Sequence, residues 1–132
     1  MQDKPKILVV EDDVALNLSL AFLVEHIGMQ ALQAYNGLEA LKVIQSDNID
    51  AVISDVKMPV MTGIELLCEI KQLKNSLPVI IMTGCGDGKT MKAAADNGAF
   101  AFLEKPVQLI ALIATIRAAV DFAERNKISS EA

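Results

Sequence analysis

The sequence has no tryptophan, one tyrosine, one histidine and two cysteines among 132 residues. Cys68 and Cys85 do not form a CxxC or Cys/His ligand pattern, and the single histidine, His26, lies on a predicted helix rather than at a strand end. These absences argue against a disulfide framework and against a zinc or copper site. Two isolated thiols in a cytosolic chain are seldom paired, so we expect small buried or half-buried side chains.

Long apolar runs are also missing. No run approaches the ~20 residues of a transmembrane helix, and the opening segment MQDKPK lacks the apolar core of a signal peptide. We therefore expect a cytoplasmic protein without a membrane partner. The net charge of -5 disfavours unspecific attraction to nucleic acid, so we expect no direct nucleic-acid binding.

The segment TGCGDGKT, residues 83–90, ends as a phosphate-binding nucleotide loop ends, but its glycine spacing is wrong. Such a loop needs a glycine, four residues, and then Gly-Lys-Ser/Thr, so that successive backbone N–H groups point at the phosphates. Thr83 occupies the position of that first glycine, and Gly84 is one residue too close to Gly88. The spacing does not indicate ATP binding.

Five short apolar runs alternate with longer segments of helical period, without a repeat or a Pro/Gly/Ser linker. A composition that is 52% hydrophobic provides enough apolar material for one domain core. Strands that are apolar on both faces, each followed by a helix, predict a doubly wound α/β domain with a parallel sheet. The predicted strands are residues 7–10, 29–34, 51–53, 79–82 and 100–102. The predicted helices follow them, the first ending at Gly28, the third beginning with a Thr62–Glu65 capping box and the fifth passing through Val120.

Polar residues stand where these strands end, at the edge of a doubly wound sheet that binds ligands. Each is a weak signal alone, because an acid after a strand is usually a helix cap or a solvated side chain. Together they bring several oxygens and one ammonium to one edge. They are Glu11, Asp12 and Asp13 after the first strand, Asp55 after the third, Thr83 after the fourth and Lys105 after the fifth.

Clustered carboxylates repel one another unless a cation or a proton neutralises them, and Mg²⁺ is the cation that prefers such oxygen ligands. With Mg²⁺ beside Asp55, the set has the parts of a phosphoryl-transfer site. Lys105 would balance charge on the phosphoryl oxygens, Thr83 would donate a hydrogen bond to one of them, and the Asp55 carboxylate would attack phosphorus in line. The product would be an aspartyl phosphate.

Four blocks, LVVEDD, ISDVKMPVMTG, VIIMTG and FLEKP, together resemble the receiver domain of two-component response regulators. The resemblance covers nearly the whole chain, from Lys6 to the last helix. It implies a five-stranded parallel sheet of order 2-1-3-4-5 with helices on both faces. It also implies a receiver domain over residues 1–125, followed by a short polar tail over residues 126–132.

The resemblance further implies how the acidic residues would act. Asp12 matches a direct Mg²⁺ ligand, and Glu11 matches its partner acid, which often acts through water. Asp55 matches the phosphorylated aspartate, and Lys57 stands where the family offers a backbone carbonyl to the metal. The pair is Glu-Asp where the family often has Asp-Asp, a common variant that we expect to bind Mg²⁺.

Three further residues match the parts of the family that respond to phosphorylation. Thr83 matches the switch hydroxyl, Phe102 the switch aromatic, and Lys105 the lysine before a proline whose peptide is commonly cis. Many members carry tyrosine where this chain has Phe102. Inward rotation of that ring would therefore be driven by apolar burial alone.

The resemblance implies a sensor histidine kinase or a histidine phosphotransfer protein as partner, and leaves open the downstream partner and a phosphorylation-dependent homodimer. The domain would catalyse only its own phosphorylation and dephosphorylation. Alternatives are a pseudo-receiver that only binds proteins and an aspartate-nucleophile phosphatase, although Lys57 stands where such a phosphatase often has a second acid. A flavodoxin-like carrier would have a Ser/Thr/Gly-rich first loop instead of Glu-Asp-Asp.

The first predicted helix is apolar on two sides. Its core-facing side is formed by Leu16, Leu20, Leu23, Val24 and Ile27. Val14, Leu18 and Phe22 recur on the opposite side, with Ala21 beside them. Two interpretations remain open: Phe22 folds back over the core edge, or these residues form an exposed patch where, by the resemblance, the phosphodonor's helix would dock.

Overall fold

Strands and helices alternate strictly along the chain in the computed structural model, which describes residues 4–84 and 86–131, with side chains described up to residue 127. Each strand is four or five residues long, and each is followed by a helix. The elements are β1 Lys6–Val10, α1 Val14–His26, β2 Gln30–Ala34, α2 Gly37–Ser46, β3 Ala51–Asp55, α3 Gly63–Leu73, β4 Val79–Thr83, α4 Gly88–Asp96, β5 Ala101–Glu104 and α5 Leu109–Glu131.

The strands form one parallel sheet of order β2-β1-β3-β4-β5, which confirms the predicted order 2-1-3-4-5. Side chains alternate between its two faces. In β1, Leu8 and Val10 join the cluster beneath α2 and α3, whereas Ile7 and Val9 join the cluster beneath α1 and α5. Because both faces are covered, the inner strands β1, β3 and β4 are mostly apolar, and their polar groups concentrate at their ends.

Local capping signals define several helix ends. Asp13 caps α1, and its Oδ1 accepts the Leu16 N–H at 3.1 Å. The predicted capping box is confirmed, since Thr62 Oγ1 accepts the Glu65 N–H and the Glu65 carboxylate accepts the Thr62 N–H. Gly28 follows α1 with a φ of 89°, a conformation that glycine adopts without steric cost.

The last helix is longer than the sequence analysis expected. The fifth helix was predicted to pass through Val120, and α5 continues well beyond that residue, to Glu131. The reason is local, because alanine, glutamate, arginine and lysine favour helix and no glycine or proline follows Pro106. Near its end, Lys127 Nζ lies 2.6 Å from Asp50 Oδ1, and Asp50 Oδ2 accepts the Lys6 N–H at 2.8 Å. The domain boundary at residue 125 stays a prediction.

Two other expectations concern thiols and membranes. Cys68 is half-buried and unpaired with another cysteine, as expected, and the expectation for Cys85 lies outside the described residues. Over the described part of the chain, no helix has the length and apolarity that a membrane crossing requires.

Gly63, the first residue of α3, packs directly against the end of β3. Its N–H donates to the Val56 carbonyl at 2.8 Å. A Cβ atom at this position would lie 2.2 Å from the Asp55 carbonyl oxygen and 2.9 Å from the Asp55 carbonyl carbon. Because both atoms belong to the backbone, they cannot yield as a flexible side chain would.

We therefore expect Gly63→Ala to lower the free energy of unfolding by about 1–3 kcal/mol, the usual cost of overpacking. Gly88→Ala is the matched control, since Gly88 also lies at a helix start and a Cβ there would meet nothing within 4 Å. Urea unfolding of both variants measures the difference. Equal stability of the two variants would contradict the close packing of Gly63 on Asp55.

Candidate functional site

Three carboxylates from two adjacent strands meet at the carboxyl edge of the sheet. Ligand oxygens of Glu11, Asp12 and Asp55 all lie within 4.8 Å of one another. β1 pairs directly with β3, so residues that follow the two strands emerge side by side. Glu11 is 2% and Asp55 8% exposed, whereas Asp12 is open to solvent. The predicted convergence of these acids is confirmed in position.

Lys105 supplies the positive charge that touches this group. Its Nζ lies 3.2 Å from Glu11 Oε1 and 3.3 Å from Asp55 Oδ1. The Lys105 N–H donates to the Thr83 carbonyl at 2.7 Å, and the Lys105–Pro106 peptide is cis, as the resemblance implied. One ammonium thus contacts two of the three carboxylates, and the acids outnumber it.

The pKa values reflect this imbalance. Burial raises the pKa of Glu11 above its usual range, and the neighbouring charge of Asp55 raises it further, against the lowering effects of the Asp13 N–H and of Lys105. For Lys105, burial lowers the pKa, but the attraction of Asp55 and Glu11 outweighs burial, and the pKa is raised. The carboxylates therefore keep Lys105 protonated. They still carry more negative charge than Lys105 neutralises, and a further cation would compensate it.

The donor set fits Mg²⁺. All three groups offer oxygen, and one of them is exposed, which leaves space for the waters that Mg²⁺ retains. Over the described residues, no histidine or cysteine joins the cluster, so its chemistry does not favour zinc. Lys57 lies in the loop after β3 with an exposed side chain, and the proposed role of its carbonyl stays a prediction.

Thr83 and Phe102 lie on the neighbouring strands. Thr83 is 1% exposed at the end of β4, next to the chain of Lys105. Phe102 on β5 pairs with Ile81 and is half-buried against the cluster beneath α2 and α3. After Thr83, the loop runs close to β5, since a Cβ on Gly86 would lie 2.2 Å from the Glu104 carboxylate carbon.

Asn17, which was not predicted as a site residue, is fully buried on α1. Its Nδ2 donates to the carbonyls of Glu11 and Ala34, both at 3.0 Å. A signal was available, because Asn17 precedes Leu20 and Val24 by three and seven residues, on the side of the helix that faces the sheet. A polar side chain in that row requires hydrogen-bond partners.

The second apolar side of α1 is exposed, as one of the two interpretations required. Val14 is 65%, Leu18 48% and Phe22 68% exposed, so Phe22 does not fold back over the core. Ala21 was placed wrongly: it is 7% exposed and faces the sheet with Asn17. We call Val14, Leu18 and Phe22 the α1 stripe.

Known proteins are similar to this chain in sequence and in fold. The family described as the response regulator receiver domain matches residues 7–117. The transcriptional regulatory protein GlrR of Escherichia coli is 37% identical over 92% of this chain, which covers 28% of GlrR. FixJ of Bradyrhizobium diazoefficiens is 37% identical over 94% of the chain, which covers 60% of FixJ. This chain thus spans about a quarter to three fifths of those two relatives.

Solved structures agree in fold. A receiver domain protein from Methanospirillum hungatei has a TM-score of 0.89 at 28% identity, covering 94% of this chain and 99% of that one. A receiver domain from Clostridium thermocellum has a TM-score of 0.86 at 36% identity, covering 94% and 98%. Sequence, sheet order and the arrangement of strand ends lead to one assignment: the chain belongs to the receiver domain family of two-component response regulators.

Proposed function

We propose that Asp55 is the phosphoacceptor of this receiver domain and takes its phosphoryl group from a phosphohistidine. The observation that supports this most directly is the position of Asp55. Its carboxylate lies at the end of β3, 3.3 Å from Lys105 Nζ and within 4.8 Å of the other two acids. Of Glu11, Asp12 and Asp55, only Asp55 both contacts Lys105 and lies on β3, the central strand of the parallel sheet.

In the transfer, an Asp55 oxygen forms a bond to phosphorus as the phosphorus–nitrogen bond of the donor breaks, and the leaving imidazole keeps the electron pair and takes a proton. Lys105 would balance charge on the phosphoryl oxygens, and the Thr83 hydroxyl would donate to one of them. Glu11, Asp12, Asp55 and the Lys57 carbonyl would hold Mg²⁺, which supplies further charge neutralisation when bound. Water attack on the aspartyl phosphate would reverse the modification.

Nothing in the site favours a phosphatase that acts on external substrates. Lys57, an exposed cation, stands two residues after Asp55, where such enzymes often place a general acid. The domain would therefore catalyse only its own phosphorylation and dephosphorylation. A pseudo-receiver would need none of the ion pairs that Lys105 makes with Glu11 and Asp55.

Receiver domains of response regulators interact with histidine kinases, and we propose a kinase or a histidine phosphotransfer protein as the donor here. GlrR and FixJ are named transcriptional regulatory proteins and are longer than this chain. We therefore propose that this receiver controls either a partner protein or a domain attached to it. For this chain, a cytoplasmic location, a lack of direct nucleic-acid binding and a phosphorylation-dependent homodimer stay predictions.

Asp55→Asn should abolish the phosphoryl adduct, because an amide oxygen is a far weaker nucleophile than a carboxylate. The protein is incubated with acetyl phosphate and Mg²⁺, and the adduct is measured by intact mass. Asp50→Asn is the matched control, since Asp50 lies at the opposite end of β3 and should leave labelling intact. An adduct on the Asp55→Asn protein under the same conditions would refute the assignment.

Residues 83–92 should exchange amide hydrogen more slowly when beryllofluoride, a phosphoryl mimic, occupies the site. Thr83 would move toward the mimic and draw in the loop that follows, in which Gly84 and Gly88 have open space around them. Hydrogen exchange with mass spectrometry measures this, and residues 45–50 at the opposite edge serve as the internal reference. Identical exchange with and without the mimic would mean that the loop takes no part in a switch.

The α1 stripe is proposed to receive the donor's helix. Leu18→Glu combined with Phe22→Glu should slow phosphoryl transfer from the cognate donor about tenfold or more, because central apolar anchors carry most of the energy of such contacts. Labelling by acetyl phosphate, which needs no docking, should not change. Ser19→Glu, on an exposed neighbouring position of α1, controls for added charge. A change in self-association alone would instead identify the stripe as a dimer surface.

A further inference from the structure

Asn17 is a fully buried amide within the apolar layer between α1 and the sheet. Burying an amide is costly unless each of its polar atoms has a partner. Its neighbours on the same side of the helix, Leu20, Ala21 and Val24, are apolar and belong to the sheet-facing row. The hydrogen-bond partners of the buried Asn17 amide therefore indicate its role.

The Asn17 Nδ2 group reaches the backbone where β1 leaves the sheet. It donates to the Glu11 carbonyl and to the Ala34 carbonyl, both at 3.0 Å, and lies 3.5 Å from the Val9 carbonyl. The Ala34 carbonyl also accepts the Glu11 N–H at 3.1 Å. Both backbone polar groups of Glu11 are thus held at the end of β2, one directly and one through the Asn17 amide.

The Glu11 carbonyl belongs to the peptide that joins Glu11 to Asp12. Because a peptide unit is planar, a hydrogen bond that fixes its oxygen also fixes the direction in which the Asp12 Cα leaves it. Asp12 is exposed, so the direction of its carboxylate depends on the backbone beneath it. The bond from Asn17 therefore acts on the exposed member of the carboxylate cluster without touching its side chain.

Gln33 fixes the orientation of the Asn17 amide. Its Nε2 donates to Asn17 Oδ1 at 2.8 Å, so the oxygen of Asn17 points toward β2 and the NH₂ group points toward the carbonyls. A reversed amide would set its oxygen against the Glu11 and Ala34 oxygens. The path from Gln33 through Asn17 to Glu11 is thus a continuous set of hydrogen bonds that ends one residue before Asp12.

We propose that Asn17 is a positioning residue for Mg²⁺, holding the Glu11–Asp12 peptide so that the Asp12 carboxylate faces Glu11 and Asp55. This inference rests on the proposed function, because it concerns the metal that the same acids would bind. Asn17 does not touch the metal or the phosphoryl group, and it acts only through the backbone of Glu11.

The test uses Asn17→Leu, which keeps a side chain of similar size and removes the donor. Mg²⁺ is titrated into the protein without a phosphodonor, and binding is followed by NMR shifts of the amides of residues 11–13. We expect the dissociation constant to rise about tenfold, as when the outer partner of a metal ligand is removed. In acetyl phosphate labelling, the half-saturating Mg²⁺ concentration should rise by the same factor, while the rate at saturating Mg²⁺ should stay unchanged.

Two further variants keep the test decisive. Gln33→Ala removes the side chain that orients the Asn17 amide. Because Gln33 is exposed on β2, we expect little loss of stability and a smaller rise in the dissociation constant than with Asn17→Leu. Val24→Ala truncates another fully buried residue of α1, seven residues beyond Asn17, and it should lower stability without changing Mg²⁺ affinity. Asp12→Ala removes the proposed direct ligand, so its Mg²⁺ dissociation constant is the value with which the other variants are compared.

The possible outcomes separate the two proposals. If wild-type protein binds no Mg²⁺, or if Asp12→Ala binds it as tightly as wild type, the proposed metal site fails and the inference fails with it. If Asp12→Ala weakens binding but Asn17→Leu and Gln33→Ala do not, only the inference is overturned. A rise in the dissociation constant with Val24→Ala as large as with Asn17→Leu would mean that Asn17 merely supports the fold.

Discussion

Lys105 makes the ion pairs that join three parts of the sheet edge. Its ammonium contacts Glu11 after β1 and Asp55 on β3, while its own N–H is held by the Thr83 carbonyl at the end of β4. Carboxylates within 4.8 Å of one another repel, most strongly between the buried Glu11 and Asp55, and a single cation offsets only part of that repulsion. The remaining negative charge is what would attract a metal ion to this edge. The fold tolerates it because both buried carboxylates are in contact with Lys105.

Much of the fold and most of the site could be predicted because the signals are local. A buried parallel strand is apolar on both faces, so the first charged residue after it marks its end, as Glu11 does after β1. The Thr62–Glu65 capping box is likewise a property of four consecutive residues. The approach of these strand ends then follows from the strand order.

Other features depend on neighbours that are distant in sequence. Ala21 is small enough to lie on either side of α1, and packing against the sheet decides its position. Asn17 resembles an ordinary polar helix residue until its partners on β1 and β2 are known. The close approach of Gly63 to the Asp55 carbonyl is visible only once α3 has been placed over β3. Each of these belongs to tertiary packing, which overrides the preference of a single residue.

β3 carries an aspartate at each end, and the two have opposite roles in the architecture. Asp55 faces the charged edge, whereas Asp50 joins the start of β1, through the Lys6 N–H, to the far part of α5, through Lys127. Lys127 therefore attaches the far part of α5 at the opposite pole, about 17 Å of strand away from Asp55. A group joined to the far part of α5 would therefore lie at the end of the sheet opposite the carboxylate cluster.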